Sequence, residues 1–252
     1  MPNVLLLGGT TEASALARLL AERGVRATLS YAGRTEQPRP QPIPVRVGGF
    51  GGVEGLTRYL RDARVTHLVD ATHPFAAAMS ANAVAAARTA GVPLLALTRP
   101  AWHPVAGDRW THVPDIAGAV AALEGPPRRI LLALGRMHVE AFAGMPQHHY
   151  VLRFVDAPPV PPALPDHRLV IDRGPFTPDG DRALITAHGI DLVVCKNAGG
   201  TGAEAKLIAA RALGIPVLMI DRPPLPPRAE VIDPQAVLDW LDHAPSPAKR
   251  GV

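Results

Sequence analysis

The sequence predicts an α/β protein with mostly parallel sheets, and three observations carry that reading. Short continuous apolar runs, such as residues 4–7 and 191–195, read as strands buried on both faces. Each of these runs enters a glycine turn that opens a helix: Gly8-Gly9-Thr10-Thr11-Glu12 after the first, Gly199-Gly200-Thr201 shortly after the second. Apolar runs and helix-period stretches alternate along nearly the whole chain, as in doubly wound sheets.

The first turn sets the functional expectation. Strand, glycine turn and helix N-terminus together hold a phosphate on unsatisfied backbone N–H groups. Thr10 or Thr11 caps a helix whose Ala13, Leu16, Leu19 and Leu20 share one face, and Gly24 ends it. The G-x-G-x-x-G spacing is absent, so a plain βα turn stays open beside a phosphate cradle.

Composition narrows the classes. The chain has 252 residues, 47% hydrophobic and 19% charged, with a net charge of +4. That is enough for one large or two small α/β domains. The single cysteine, Cys195, excludes an internal disulfide framework and a cysteine metal cluster, and no metal site is expected. The opening apolar run is short and lacks a basic flank, so a reducing, cytoplasmic location is expected. No stretch approaches a membrane span. The arginines are scattered and no basic run interleaves with aromatics, so acidic small molecules fit better than nucleic acid.

Residues 25–30 read as the second strand. Its end carries Ser30 and, after a turn, Arg34, with no Asp or Glu ending the strand. In a dinucleotide fold this place meets the adenosine ribose, and a hydroxyl or basic group there suits a 2′-phosphate. A proline-rich loop at 37–44 and a short strand at 43–47 follow. Four glycines then surround Phe50, in a ligand-approaching loop or a hinge. A helix is expected over 53–63. Residues 67–71 form the fourth strand, and Asp70, Thr72 and His73 cluster at its carboxyl end, where open parallel sheets bind ligands. There Thr72 caps the next helix or serves the site, and Pro74 fits that helix's first turn. A fifth strand spans 92–98.

Residues 99–108 read as a boundary. Beyond it lie an edge strand with Trp110 and Val113, a helix at 115–123, and a strand at 129–134 ending in Gly135-Arg136. A helix through Val139 and Phe142, strands at 150–155 and 169–171, and a helix at 178–188 follow. Residues 191–195 form a strand, 204–213 a helix and 217–220 the last strand; a final helix begins near Pro234. The second glycine turn copies the first in outline. The chain is therefore divided into two Rossmann-like lobes facing a central cleft: residues 1–98, residues 108–243, and a disordered tail at 244–252. Lys196 and Lys206 flank the second turn and could receive a carboxylate-rich ligand, or be surface charges.

Four motifs carry a resemblance over nearly the full length. They are Leu7-Gly8-Gly9-Thr10-Thr11-Glu12, Arg46-Val47-Gly48-Gly49-Phe50-Gly51-Gly52, Asp70-Ala71-Thr72-His73-Pro74-Phe75-Ala76 and Lys196-Asn197-Ala198-Gly199-Gly200. The chain resembles the precorrin-6A reductases of corrin-ring (vitamin B12) synthesis. In that family serine is expected where Ala198 stands. The resemblance implies NADPH on the first lobe, a tetrapyrrole substrate, and hydride transfer to a macrocycle double bond with protonation of the neighbouring carbon. It implies Gly8, Gly9, Thr10 and Thr11, with Glu12, at the pyrophosphate, Ser30 and Arg34 at the 2′-phosphate, and Thr72 and His73 near the nicotinamide. His73 is the candidate catalytic proton donor, beside solvent or a substrate carboxyl. Lys196, Asn197, Gly199 and Gly200, with Arg136, are expected to face substrate carboxylates. Transient contacts with neighbouring pathway enzymes are also expected. A cobalt-containing substrate, a nucleotide-sugar transferase and a non-catalytic binding module remain alternatives.

Overall fold

The computed structural model describes residues 1–32 and 40–243. Its strands are β1 (Asn3–Leu7), β2 (Arg26–Tyr31), β3 (Val45–Val47), β4 (His67–Asp70), β5 (Leu94–Leu97), β6 (Trp110–Val113), β7 (Arg129–Ala133), β8 (His149–Phe154), β9 (His167–Ile171), β10 (Leu192–Lys196), β11 (Val217–Ile220) and β12 (Glu230–Val231). Its α-helices are α1 (Thr11–Glu22), α2 (Gly52–Asp62), α3 (Ala77–Ala90), α4 (Ile116–Ala121), α5 (Pro178–Ala187), α6 (Ala205–Ala212) and α7 (Pro234–His243). A 3-10 helix covers Arg136–Gly144. None of the described helices is long and apolar enough to cross a membrane.

The chain divides into two compact units. The first is Met1–Pro100 together with the segment that begins at Pro224, and the second is Ala101–Pro223. The first unit holds a six-stranded sheet in the order β3-β2-β1-β4-β5-β12, with every pairing parallel. β1 is its centre, and its alternating side chains enter two cores. Val4 and Leu6 pack with Leu16 and Leu20 of α1 and Leu238 and Leu241 of α7. Leu5 and Leu7 pack with Leu56 and Leu60 of α2 and Ala83 of α3. A strand buried on both faces must be apolar throughout, which is why 4–7 reads as a continuous run.

The second unit repeats the order as β9-β8-β7-β10-β11-β6, again all parallel. One face buries Leu131, Val151, Val193 and Cys195 against Ile185 of α5 and Leu207 of α6.

The sixth place in the first sheet departs from the sequence expectation, while in the second it is the expected edge strand Trp110–Val113. The second lobe was expected to run from 108 to 243 and its last strand to be 217–220. Instead the chain returns to the first unit: Glu230 and Val231 extend the sheet beside Ala96 and Leu97. The apolar face of α7 then covers α1, with Val237 fully buried. β12 is too short to announce itself by periodicity, and only the open edge of β5 gives it a place. The tail expected at 244–252 lies outside the described residues.

Candidate active site

The order 3-2-1-4-5-6 reverses direction between its first and fourth strands, and ligands bind at the carboxyl ends there. In the first unit that point lies between β1 and β4. Gly8 leaves β1 with its N–H donated to Ser30 O at 2.9 Å. A Cβ on Gly8 would lie 2.4 Å from Leu29 Cδ1, so any larger residue would force the buried Leu29 side chain to move. Gly9 takes φ +125, a conformation that L side chains avoid.

Thr10 is the N-cap of α1. Its Oγ1 accepts the Ala13 N–H at 3.1 Å and donates to Ala71 O at 2.8 Å, tying the turn to the end of β4. The hydroxyl is therefore engaged within the protein, and what Thr10 can offer a ligand is its N–H. The N–H groups of Gly9, Thr10 and Thr11 find no acceptor among the described residues. They sit at the positive end of a 12-residue helix.

Glu12, expected at this cradle, is engaged within the first unit. Its carboxylate meets Arg99 at 3.0 Å and accepts the Thr11 hydroxyl at 3.1 Å. Burial pushes its pKa up, but its own backbone N–H, Arg99 and Thr11 outweigh burial and hold it below the usual carboxylate value. An ionised carboxylate would repel a phosphate; the Arg99 pairing offsets its charge.

At the β4 end, Asp70 is 2% exposed and organises the junction. Its Oδ1 accepts the Thr72 N–H at 3.1 Å and the Thr72 hydroxyl at 2.7 Å. Its Oδ2 meets Arg228 Nη1 at 2.5 Å, and Arg228 Nε also meets Glu230. Thr72 does not cap α3, because that helix starts five residues later, at Ala77, behind an Ala76 N-cap with no side-chain bond. Pro74 precedes the helix rather than lying in its first turn. The Phe75 N–H donates to His73 Nδ1 at 3.2 Å, which places the neutral ring's proton on Nε2.

At the ends of β2 and β3, Ser30 is buried and its Oγ accepts from Arg46 Nη1 at 2.8 Å. Arg46 also donates to Gly48 O at 2.9 Å and Gly49 O at 3.2 Å, and its guanidinium lies 3.9 Å from the Phe50 ring centroid. The loop is pinned from below as well, since a Cβ on Gly55 would fall 1.6 Å from Phe50 O. Arg34 lies outside the described residues.

The second unit has its own switch point, between β7 and β10. Arg136 starts the 3-10 helix after β7, and Lys196 ends β10. Gly199 and Gly200 adopt φ +71 and +68. Asn197 is 6% exposed, and its amide closes two bonds with the Trp102 backbone, at 2.8 and 3.0 Å. Its amide, expected to face substrate, is spent on holding the loop. Trp102 Nε1 donates to Gly200 O, and Arg222 donates to the Asn197 and Ala198 carbonyls. Lys206 is buried, donates to Ala203 O and lies 4.8 Å from the Trp102 ring, so it is not a surface charge. Burial lowers its pKa. The second glycine turn is not a copy of the first, because β10 occupies the fourth place of its sheet and β1 the first.

Sequence reasoning did not single out Arg46, Arg99 or Arg228. Arg46 and Arg99 lie at or just past strand carboxyl ends and were legible by that rule. Arg228 was not, because its partner Asp70 lies 158 residues away.

The family profile described as "Precorrin-6x reductase CbiJ/CobK" matches residues 3–242. The chain belongs to the precorrin-6x reductase family. A relative named precorrin-6A reductase, from Rhodobacter capsulatus, is 58% identical and the match covers 100% of both chains. One named cobalt-precorrin-6A reductase, from Priestia megaterium, is 30% identical over 87% of this chain and 90% of its own. A solved structure titled CobK precorrin-6A reductase superposes with a TM-score of 0.93 at 58% identity, covering both chains fully. The family thus extends over both units and over the segment that returns to the first sheet.

Proposed function

We propose that the protein reduces precorrin-6A to precorrin-6B with NADPH. The observation that carries the cofactor reading is the β1–α1 turn. Three N–H groups without acceptors among the described residues lie at a helix N-terminus, behind a glycine whose Cβ would press on the buried Leu29 side chain. That donor set suits a pyrophosphate. The full-length 58% identity to a precorrin-6A reductase, against 30% to a cobalt-precorrin-6A reductase, favours the metal-free substrate.

The bound dinucleotide supplies a hydride, and the remaining work falls to the chain's own groups. Gly9, Thr10 and Thr11 donate their N–H groups to the pyrophosphate. Thr10 Oγ1 keeps the turn fixed to Ala71, so the cradle is rigid before ligand arrives. Asp70, itself held by Arg228, orients Thr72 beside the nicotinamide. His73 donates a hydrogen bond from Nε2 at the reacting edge of the macrocycle. A proton-donating imidazolium would set an Nδ1–H against the Phe75 N–H, so His73 orients while solvent or a substrate carboxyl supplies the proton. The overall step balances as precorrin-6A, NADPH and one proton giving precorrin-6B and NADP⁺. Lys196, Arg136 and the Gly199-Gly200 backbone offer positive or N–H groups to the substrate's carboxylates.

The test is calorimetric titration with NADPH and with NADH, followed by turnover of precorrin-6A monitored by NADPH absorbance. Tighter NADPH binding and substrate-dependent oxidation are expected. Binding of neither nucleotide, with no oxidation when substrate is added first, would overturn the reading.

A further inference from the structure

We propose that Arg46 reads the adenosine 2′-phosphate and so sets the preference for NADPH over NADH. The inference rests on the cofactor reading above and goes beyond it by naming the residue that discriminates.

The position is right by topology. In the order 3-2-1-4-5-6 the adenosine ribose sits at the carboxyl end of the second strand. Ser30 lies there, but it is 5% exposed and its Oγ is occupied by the Arg46 guanidinium. Ser30 is therefore the support, and Arg46 is the group it holds. β3 pairs with β2 so that Arg46 stands directly beside Ser30 in the parallel register.

The electrostatics fit a phosphomonoester. Arg23, Arg99, Arg153 and Arg228 each meet a carboxylate. Arg46 bonds only to neutral oxygens among the described residues: Ser30 Oγ, Gly48 O and Gly49 O. Those contacts orient the guanidinium without cancelling its charge. Arg46 is half-buried, so its charge is incompletely screened by water, and its Nε–H and the second Nη2–H have no acceptor among the described residues.

The geometry is also fixed in advance. Three hydrogen bonds and stacking on Phe50 at 3.9 Å, with Tyr59 at 5.2 Å, leave the guanidinium little rotamer freedom to lose on binding. A planar fork so held matches phosphate oxygens better than a loop side chain that must be ordered by the ligand.

The test compares two nucleotides that differ only by the 2′-phosphate. Arg46→Gln keeps an N–H donor for the loop carbonyls and removes the charge. It should raise the NADPH dissociation constant by roughly 10- to 100-fold, the loss expected for a charge-assisted contact, while NADH binding changes by less than about threefold. A collapsed loop would weaken both nucleotides alike and would overturn the assignment. An unchanged NADPH preference in Arg46→Gln, with the preference lost in Arg34→Ala, would also overturn it and leave the cofactor reading intact. A wild-type protein that binds both nucleotides equally would instead overturn the cofactor reading. A second measurement needs no variant. Phenylglyoxal labelling of Arg46, read by mass spectrometry, should be blocked by 2′,5′-ADP and not by 5′-AMP. Labelling indifferent to 2′,5′-ADP would contradict the proposal.

Discussion

The two sheets share one spatial strand order but differ in the crossover that leaves the central strand. After β1 the chain turns through Gly8 and Gly9 and enters a 12-residue α-helix capped by Thr10. After β7 it passes Gly135 at φ −66 and enters a 3-10 helix with no side-chain cap. An α-helix of three turns aligns its peptide dipoles and leaves its first N–H groups pointing at one place. A 3-10 helix has poorer hydrogen-bond geometry and gathers them less well. The second switch point carries long side chains, Arg136 and Lys196, and a left-handed glycine pair. On the function proposed above, the same topology would serve a dinucleotide in one unit and a carboxylate-bearing ligand in the other, with the crossover rather than the sheet making the difference.

The comparison breaks most sharply at the buried ion pairs, of which each unit has one among the described residues: Asp70–Arg228 and Arg153–Asp181. Removing one partner of such a pair costs about 3–5 kcal/mol, because the other charge is left buried. Asp70→Asn and Asp181→Asn should lower stability comparably in chemical denaturation. Only Asp70→Asn should also weaken NADPH binding, since only Asp70 holds a site residue. Equal effects on NADPH would show that the first switch point is not special.

His73→Gln comes next. Loss of an oriented donor at the reacting edge should slow turnover by roughly 100-fold, with the NADPH dissociation constant unchanged. Undiminished turnover would remove His73 from the site.

The glycines give a matched pair. Gly8→Ala forces a Cβ to 2.4 Å from Leu29 Cδ1 and should cost about 1–3 kcal/mol with a matching loss of NADPH affinity. Gly135→Ala meets nothing within 4 Å and should stay within about 0.5 kcal/mol. Thermal denaturation with and without NADPH separates the two.

The smallest effect is electrostatic. The Glu12 pKa is lowered in the folded state, so its contribution is present above the unfolded value of 4.5 and is lost as pH falls through the folded one. Denaturation of wild type and Glu12→Gln should differ by about 0.5–1 kcal/mol at pH 7 and converge as the pH drops below 4.5. A difference that persists in acid would assign Glu12 a role other than its pairing with Arg99.

Much of this was legible in the sequence, for identifiable reasons. The central strands were readable because burial on two faces demands uninterrupted apolar runs, as at Leu5, Leu6 and Leu7. The β1–α1 turn was readable because glycine pairs and cap residues have local causes. What escaped were pairings made over long separations. β12 is two residues long and exists only because β5 has an open edge. Asn197 looks like a ligand-facing amide until Trp102 is seen to occupy it. The segment after β7 has a helical pattern through Val139 and Phe142, yet it winds as a 3-10 helix. Periodicity over so few residues does not separate the two windings.

Amide hydrogen exchange on the full chain, with and without NADPH, tests the contrast between the two crossovers most directly. Slowed exchange at Gly9, Thr10 and Thr11, with the amides of residues 135–138 unaffected, is the predicted result. Protection at 135–138 or at the Gly199-Gly200 turn, with residues 9–11 unchanged, would contradict it and move the dinucleotide to the second unit.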